Sequence, residues 1–222
     1  MRIAVSGTHN TGKSSLVEAL GARLPQHTMV AEPYEILEER GYAFEHPPSI
    51  EDYVVQLKQS LASLRRRSPN MIFDRCPLDF LGYIYASPGA ERFDLEAWRE
   101  PIAQAMARLD LVVLVRADPT HDPVMSMDDA AFRLAVDDML QDIIGGDCFD
   151  LCDGVEIMVL DGPWDRRVEK VLAYADGLGL LVEAPRPKRQ LPACRSNNSA
   201  YRPSNAISSP CAPCSTGLPF ST

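Results

Sequence analysis

Short apolar runs alternate with segments whose apolar residues recur at helical spacing, from residue 2 to about residue 178. Arg2-Ile3-Ala4-Val5-Ser6 reads as a buried strand, and Leu16, Leu20 and Leu24 follow it on one helical stripe. His27–Ala31 reads as a second strand ending at Glu32-Pro33, with a short helix expected over Tyr34–Arg40. Ser49, with Asp52 three residues on, forms an acidic variant of a capping box. The helix it opens carries Tyr53, Leu57, Leu61 and Leu64 along one stripe and is expected to run to about Arg67. Asn70–Asp74 is a third strand, and Pro77 sits where a helix tolerates proline best, at its first position. A helix over Leu95–Leu109 leads into Asp110–Arg116, the strongest strand pattern in the chain. A helix over about Asp128–Ile144, a fifth strand over Val155–Leu160 and a last helix opened by Pro163 and ending near Gly177 complete the series. Strands alternating with helices predict the α/β class, with a mostly parallel five-stranded sheet covered by helices on both faces.

Beyond about residue 180 the pattern stops. Seven of the 18 prolines fall after Ala184, among Ser, Asn and Cys, with no apolar periodicity. The expected organisation is one domain over 1–180 and a disordered tail over 181–222. Charge is divided the same way. The chain carries −9, and the five basic residues Arg186, Lys188, Arg189, Arg195 and Arg202, unaccompanied by any acidic residue, leave −14 on the rest. An acidic body argues against nucleic acid or an anionic membrane as partner and suits a small molecule better; a second copy of the chain stays open as a partner. No stretch approaches the ~20 apolar residues of a membrane span. Met1 leads straight into the first strand, leaving no room for a targeting peptide, so a cytoplasmic location is expected. Cys76, Cys148 and Cys152 in the body and Cys194, Cys211 and Cys214 in the tail read as free thiols, the last three at spacings too irregular for a zinc site.

Chemistry enters between the first strand and the first helix. Gly7-Thr8-His9-Asn10-Thr11-Gly12-Lys13-Ser14 is a complete G-x-x-x-x-G-K-[ST] loop, and strand, glycine loop and helix are the context in which backbone N–H groups converge on a polyphosphate. Gly7 and Gly12 allow the backbone to curl round the phosphate. Lys13 supplies charge between the β- and γ-phosphates, and the Ser14 hydroxyl can ligate Mg²⁺. Two further strand ends carry carboxylates: Glu32 after the second and Asp74, followed by Arg75, after the third. Either carboxylate can take a proton from an acceptor hydroxyl or hold Mg²⁺, and Arg75 can neutralise charge on a transferring phosphoryl group. A solvated charge and a helix-entry ion pair are the alternatives for these positions. Arg65-Arg66-Arg67 reads as the favourable positive end of a helix, His9 as facing solvent or substrate, and Asp128-Asp129 and Asp137-Asp138 as solvated helix faces.

The loop with its following Ser15, the Glu32-Pro33 strand end, and Phe73-Asp74-Arg75-x-Pro77-Leu78-Asp79-x-Leu81-x-Tyr83 together resemble the NadR/Ttd14-type AAA-domain ATPases, near the nucleoside and nucleotide kinases. The resemblance covers residues 1 to about 178 and implies a three-layer α/β/α P-loop NTPase fold with ATP and Mg²⁺ at the loop. It implies nucleotide contacts from Gly7, Asn10, Thr11, Gly12, Lys13, Ser14 and Ser15, and Mg²⁺ at Ser14 and Asp74. Glu32 matches the base of deoxynucleoside kinases, Gln56 the helix position from which they read the nucleobase, and Trp164 the place where relatives pack the adenine; a core anchor for the last helix is the other role open to Trp164. Phosphotransferases of this group close an Arg-bearing lid after the fourth strand. Here Ala117–Phe132 holds Asp118, Asp122, Asp128 and Asp129 and no Arg or Lys, with Arg116 and Arg133 at its flanks. An ATP-dependent kinase acting on a nucleoside-like hydroxyl, with Lys13, Glu32, Asp74, Arg75 and Arg133 as its catalytic set, is therefore expected. A regulatory ATPase or nucleotide-dependent switch with little phosphotransfer is the alternative. No Asn-Lys-x-Asp guanine signature occurs, which favours ATP.

Overall fold

The computed structural model describes residues 1–118 and 127–181, the side chains of Met127 and Asp128 excepted. These belong to the first of two units, Met1–Glu183 and Ala184–Thr222. The tail with its cysteines, and Asp122, lie outside the described residues.

Five strands, β1 (Arg2–Ser6), β2 (Thr28–Val30), β3 (Met71–Asp74), β4 (Leu111–Val115) and β5 (Glu156–Leu160), form one sheet in the order β2-β3-β1-β4-β5, every pair parallel. Seven α-helices connect them: α1 (Lys13–Arg23), α2 (Pro33–Glu39), α3 (Ile50–Leu64), α4 (Pro77–Ala86), α5 (Leu95–Met106), α6 (Met127–Leu140) and α7 (Trp164–Gly177). The two-residue period of the strands sorts the core into two halves. Ala4, Phe73, Val112 and Leu114 face α3, α4, α5 and α6, whereas Ile3, Val5, Ile72, Val113 and Val115 face α1 and α7. Three layers follow, and β4 is buried from end to end. Among the described residues no helix is long and apolar enough to cross a membrane.

The chain runs outward from β1 to β2, returns through β3, then crosses β1 to β4. Connections thus leave the carboxyl ends of the neighbouring strands β1 and β3 in opposite directions, the place where open parallel sheets bind ligands. In register, Val5 lies opposite both Asp74 and Val113, so the strand ends carrying the phosphate loop, Asp74-Arg75 and Arg116 come to one rim.

Three details differ from the expectation. β2 is only three residues long, because it is an edge strand with Thr28 and Met29 exposed. α3 stops at Leu64, before Arg65-Arg66-Arg67. The Arg2 guanidinium closes that end instead, donating to the carbonyls of Leu64, Arg66 and Ser68 at 2.8 Å each. α6 gives way to a π-helical turn over Gln141–Gly145. The expected capping box at Ser49 and Asp52 forms, and Asp52 also accepts from the Tyr42 hydroxyl (2.9 Å) and the Glu45 amide (3.2 Å).

Candidate active site

The phosphate loop is held from outside by its own carbonyl groups. Gly7 O accepts from Arg75 Nη1 (2.9 Å), Thr8 O from Lys13 Nζ (2.7 Å), His9 O from Arg133 Nε (2.9 Å) and Thr11 O from Arg167 Nη1 (2.7 Å). Four cations from four parts of the chain thus ring the loop on its carbonyl groups. Backbone conformation demands the glycines. Gly7 sits at φ +143°, where a Cβ would lie 2.4 Å from the Val115 carbonyl oxygen, and Gly12 at φ +81° caps α1. Lys13 is buried, and burial together with Arg75 brings its ammonium down to about 8.

Behind the loop stands Asp79, fully buried on the first turn of α4. Its carboxylate accepts from the amides of Gly7 (3.0 Å) and Cys76 (2.9 Å) and from Arg75 Nη1 (3.3 Å). Arg75, in the left-handed region at φ +73°, continues the ladder by donating its amide to Val5 O at 3.0 Å. Its guanidinium pairs with Glu32, reaches the Tyr83 hydroxyl at 3.4 Å and lies 5.2 Å from the centre of the Tyr83 ring. Burial works to raise the Glu32 carboxyl, but Arg75 and Lys13 outweigh it and hold it below the usual carboxylate range. Glu32 is ionised at neutral pH.

Asp74 is the contrasting carboxyl. Burial pushes it up, opposed by a hydrogen bond from Ser14. Its Oδ1 is buried with no partner. An orphaned carboxylate oxygen beside a serine hydroxyl is a donor set that suits Mg²⁺, which takes one or two protein oxygens and completes its shell with phosphate and water.

Two cavities open at this rim. One, of about 700 Å³, is lined by the loop residues His9 to Ser15 with Trp164 and Arg167. The other, of about 630 Å³, is walled by Ile50, Tyr53, Gln56, Phe80, Tyr83 and Phe132, with Asp129 at its margin. His9, Glu32, Tyr34 and Arg75 line both and form the seam between them. Gln56 is buried in the second cavity, its amide nitrogen 3.4 Å from Asp52 O. Trp164 is 44% exposed and its ring is 3.5 Å from where a Gly12 Cβ would be, so it flanks the loop and is no core anchor.

The two arginines beside the acidic segment part ways. Arg116 is clamped onto α6, with Nε 2.9 Å from Asp137 and Nη1 2.6 Å from Gln141, while Arg133 reaches the loop. Asp137 is accordingly 3% exposed, contrary to the solvated face expected, because it also accepts the Ala117 amide at 2.9 Å. His9 is half-buried, with Nδ1 3.2 Å from the Tyr83 hydroxyl, so it does not simply face solvent. Residues 119–126 lie outside the described residues. Sequence reasoning assigned no role to Asp79 or Tyr83, although both stand in the quoted motif, and nothing in the sequence distinguished Arg167 from its neighbour Arg166.

A parallel three-layer sheet with a phosphate loop at its switch point defines a P-loop NTPase of the α/β/α class. The AAA domain family matches residues 2–167, and the chain belongs to that family. No curated protein matches it in sequence. Among solved structures, the deoxyadenosine kinase of M. mycoides with bound dATP is similar at TM-score 0.55 and 16% identity, covering 79% of this chain and 99% of that one. NadR protein in complex with NR is similar at TM-score 0.60 and 19% identity, covering 84% of this chain and 52% of that one, so the likeness spans about half of NadR. NadR in complex with NAD and AMP-PNP gives TM-score 0.55 at 18% identity, with 84% and 51% covered. The fold is the one these P-loop kinases share.

Proposed function

We propose that this protein transfers the γ-phosphoryl group of ATP to a hydroxyl of a small, ring-bearing acceptor that carries no phosphate or carboxylate. One observation carries the proposal: the loop cavity and the aromatic cavity meet at Glu32 and Arg75, so a triphosphate and an acceptor held in them face one another. Lys13 and the loop amides bind the β- and γ-phosphates, and Trp164 offers its face to the base. Mg²⁺ held by Ser14 and Asp74 would offset charge on the phosphates. The acceptor oxygen bonds to the γ-phosphorus as the bond to the β-phosphate oxygen breaks. The electron pair leaves on ADP, and the hydroxyl proton passes to Glu32, whose ionised state equips it as the base. Arg75, through its pairing with Glu32, holds that carboxylate at the seam.

The acceptor class follows from charge. Among the described residues lining the aromatic cavity, Arg75 is the sole Arg or Lys, and it is engaged by Glu32, Asp79, Gly7 O and Tyr83. Glu32 and Asp129 add negative charge. An anionic acceptor would enter against repulsion, whereas a neutral or cationic one stacks on the tyrosines and meets Gln56. Nucleosides fit this description, as deoxyadenosine does in the M. mycoides enzyme's name. A regulatory ATPase is the second reading, favoured by the absence of Arg and Lys from residues 117–132.

The test is ADP release with a panel of nucleosides, nucleoside monophosphates and vitamin precursors. Release is expected to rise with an uncharged or cationic acceptor and to stay at background with the monophosphates. No acceptor-dependent release across the panel would refute phosphotransfer and leave the regulatory ATPase.

A further inference from the structure

The third residue of the phosphate loop lines both cavities, and its backbone is fixed: Arg133 grips His9 O at 2.9 Å. Its ring is fixed as well. Nδ1 lies 3.2 Å from the Tyr83 hydroxyl and 3.4 Å from Thr8 Oγ1, which leaves Nε2 as the nitrogen for a ligand. Tyr83 in turn stacks on Tyr53 at 5.1 Å and takes the Arg75 guanidinium, so the imidazole stands on a rigid aromatic support. We infer that His9 is a sensor of the γ-phosphate, neutral beside an empty loop and protonated when a triphosphate lies in it, its imidazolium then donating Nε2–H to the phosphoryl group in transit. The inference rests on the phosphotransferase reading for its catalytic half and on nucleotide binding alone for its protonation half.

The surroundings supply the reason. The charged groups facing His9 are Lys13 on α1, Arg75 after β3, Arg133 and Asp129 on α6, and Glu32 after β2, with neutral Tyr83 on α4. Burial first, then Arg75, Lys13 and Arg133 hold the imidazole down to about 4; Asp129 acts the other way and is outweighed. A triphosphate reverses the sign of that field by screening the same three cations, and the proton comes from solvent. A cation so made lies at the seam, in a chain whose residues 117–132 contain no Arg or Lys to close over the phosphates. No covalent change at His9 is involved.

The chain contains four histidines, so the Cε1–H resonance of His9 can be assigned by its loss in His9→Gln and followed against pH by NMR. In free protein its midpoint is expected near 4. With Mg·AMP-PNP it should rise to about 7, where the imidazolium is populated at neutral pH, and with Mg·ADP by clearly less. A midpoint that stays put with the triphosphate analogue, or moves equally with the diphosphate, overturns the inference. Kinetically, His9→Gln should lower kcat at least about tenfold with nucleotide Kd within about threefold, and should abolish the alkaline limb that the triphosphate-shifted His9 gives to the pH profile, since activity that needs the imidazolium is lost as pH rises through its midpoint. An unchanged kcat overturns the catalytic half. Failure to find any acceptor leaves the NMR outcome standing and counts only against phosphotransfer.

Discussion

Replacing Asp79 with alanine should loosen the phosphate loop and the whole domain together. The carboxylate is 0% exposed and satisfies the Gly7 amide, the Cys76 amide at the start of α4 and the Arg75 guanidinium. Removing it orphans two buried N–H groups and takes one of two carboxylates from a buried cation. Breaking a buried pair costs about 3–5 kcal/mol, and because Glu32 still pairs with Arg75 the lower end applies, about 3 kcal/mol with the lost helix cap included. A domain of this size loses about 0.4 kcal/mol per kelvin near its midpoint, so Tm should fall by roughly 8 °C. Asp79→Asn keeps an acceptor oxygen and should lose about half as much. Nucleotide affinity should drop with it, by about tenfold, because Gly7 N no longer has the bond that orients the first turn of the loop.

Thermal unfolding followed by circular dichroism, with and without Mg·ADP, measures both quantities. A Tm within 2 °C of wild type for Asp79→Ala would refute the stability estimate. A large fall in Tm with an unaltered Kd would show that Asp79 supports the fold but not the loop.

The other predictions are more local. Gly7→Ala places a Cβ 2.4 Å from Val115 O at φ +143°, so it should destabilise by at least about 2 kcal/mol in chemical denaturation and abolish nucleotide binding; normal binding would show that the loop can shift. Glu32→Gln should lower kcat by about 10²- to 10⁴-fold with ATP affinity retained, measured as acceptor-dependent ADP release; a mild effect would move the role of base elsewhere. Triphosphate affinity should fall as pH rises above about 8, because Lys13 titrates there when the loop is empty and binding takes up its proton. Without ligand the sign reverses: the folded-state value lies below the unfolded 10.5, so the cost of a buried charged lysine is relieved between about 8 and 10.5 and stability rises in that window. Lys13→Met should remove both dependences. Trp164→Ala should weaken ATP by about 5- to 100-fold without lowering Tm, since the ring is 44% exposed; a fall in Tm with unchanged affinity would make it a packing residue.

The sheet was legible because each strand is a short apolar run closed by Gly, Pro or Asp, and the phosphate loop because its spacing is its mechanism. Glu32, Asp74 and Arg75 were legible as strand-end residues, and a parallel sheet gathers strand ends. What stayed hidden depends on contacts between residues far apart in sequence. Asp137 looked like half of a solvated Asp-Asp pair, and only the meeting of α6 with the end of β4 gives it Arg116. Arg2 looked like a strand residue, and its guanidinium closes a helix that ends 62 residues later. Arg167 looked no different from Arg166 until α7 packed beside the loop and brought its guanidinium to Thr11 O. Periodicity finds faces; it does not find partners.

The ring of cations on the loop carbonyls bears on the missing basic lid. Arg75, Lys13, Arg133 and Arg167 each neutralise a carbonyl dipole of the loop, and Arg75 is also paired with Glu32 and the buried Asp79. Their charge is therefore directed inward by the loop backbone itself, within a few ångströms of where a triphosphate must lie. A lid arginine supplies positive charge late, on closure; this collar supplies it before the nucleotide arrives, at the expense of like-charge repulsion in the empty site, which adds to burial in lowering Lys13 and His9. An acidic segment after β4 then need not oppose binding. The positive charge of the site is already fixed to the sheet rim, and the absence of Arg and Lys from residues 117–132 shifts the burden of transition-state charge onto groups in the loop, the location in which His9 stands.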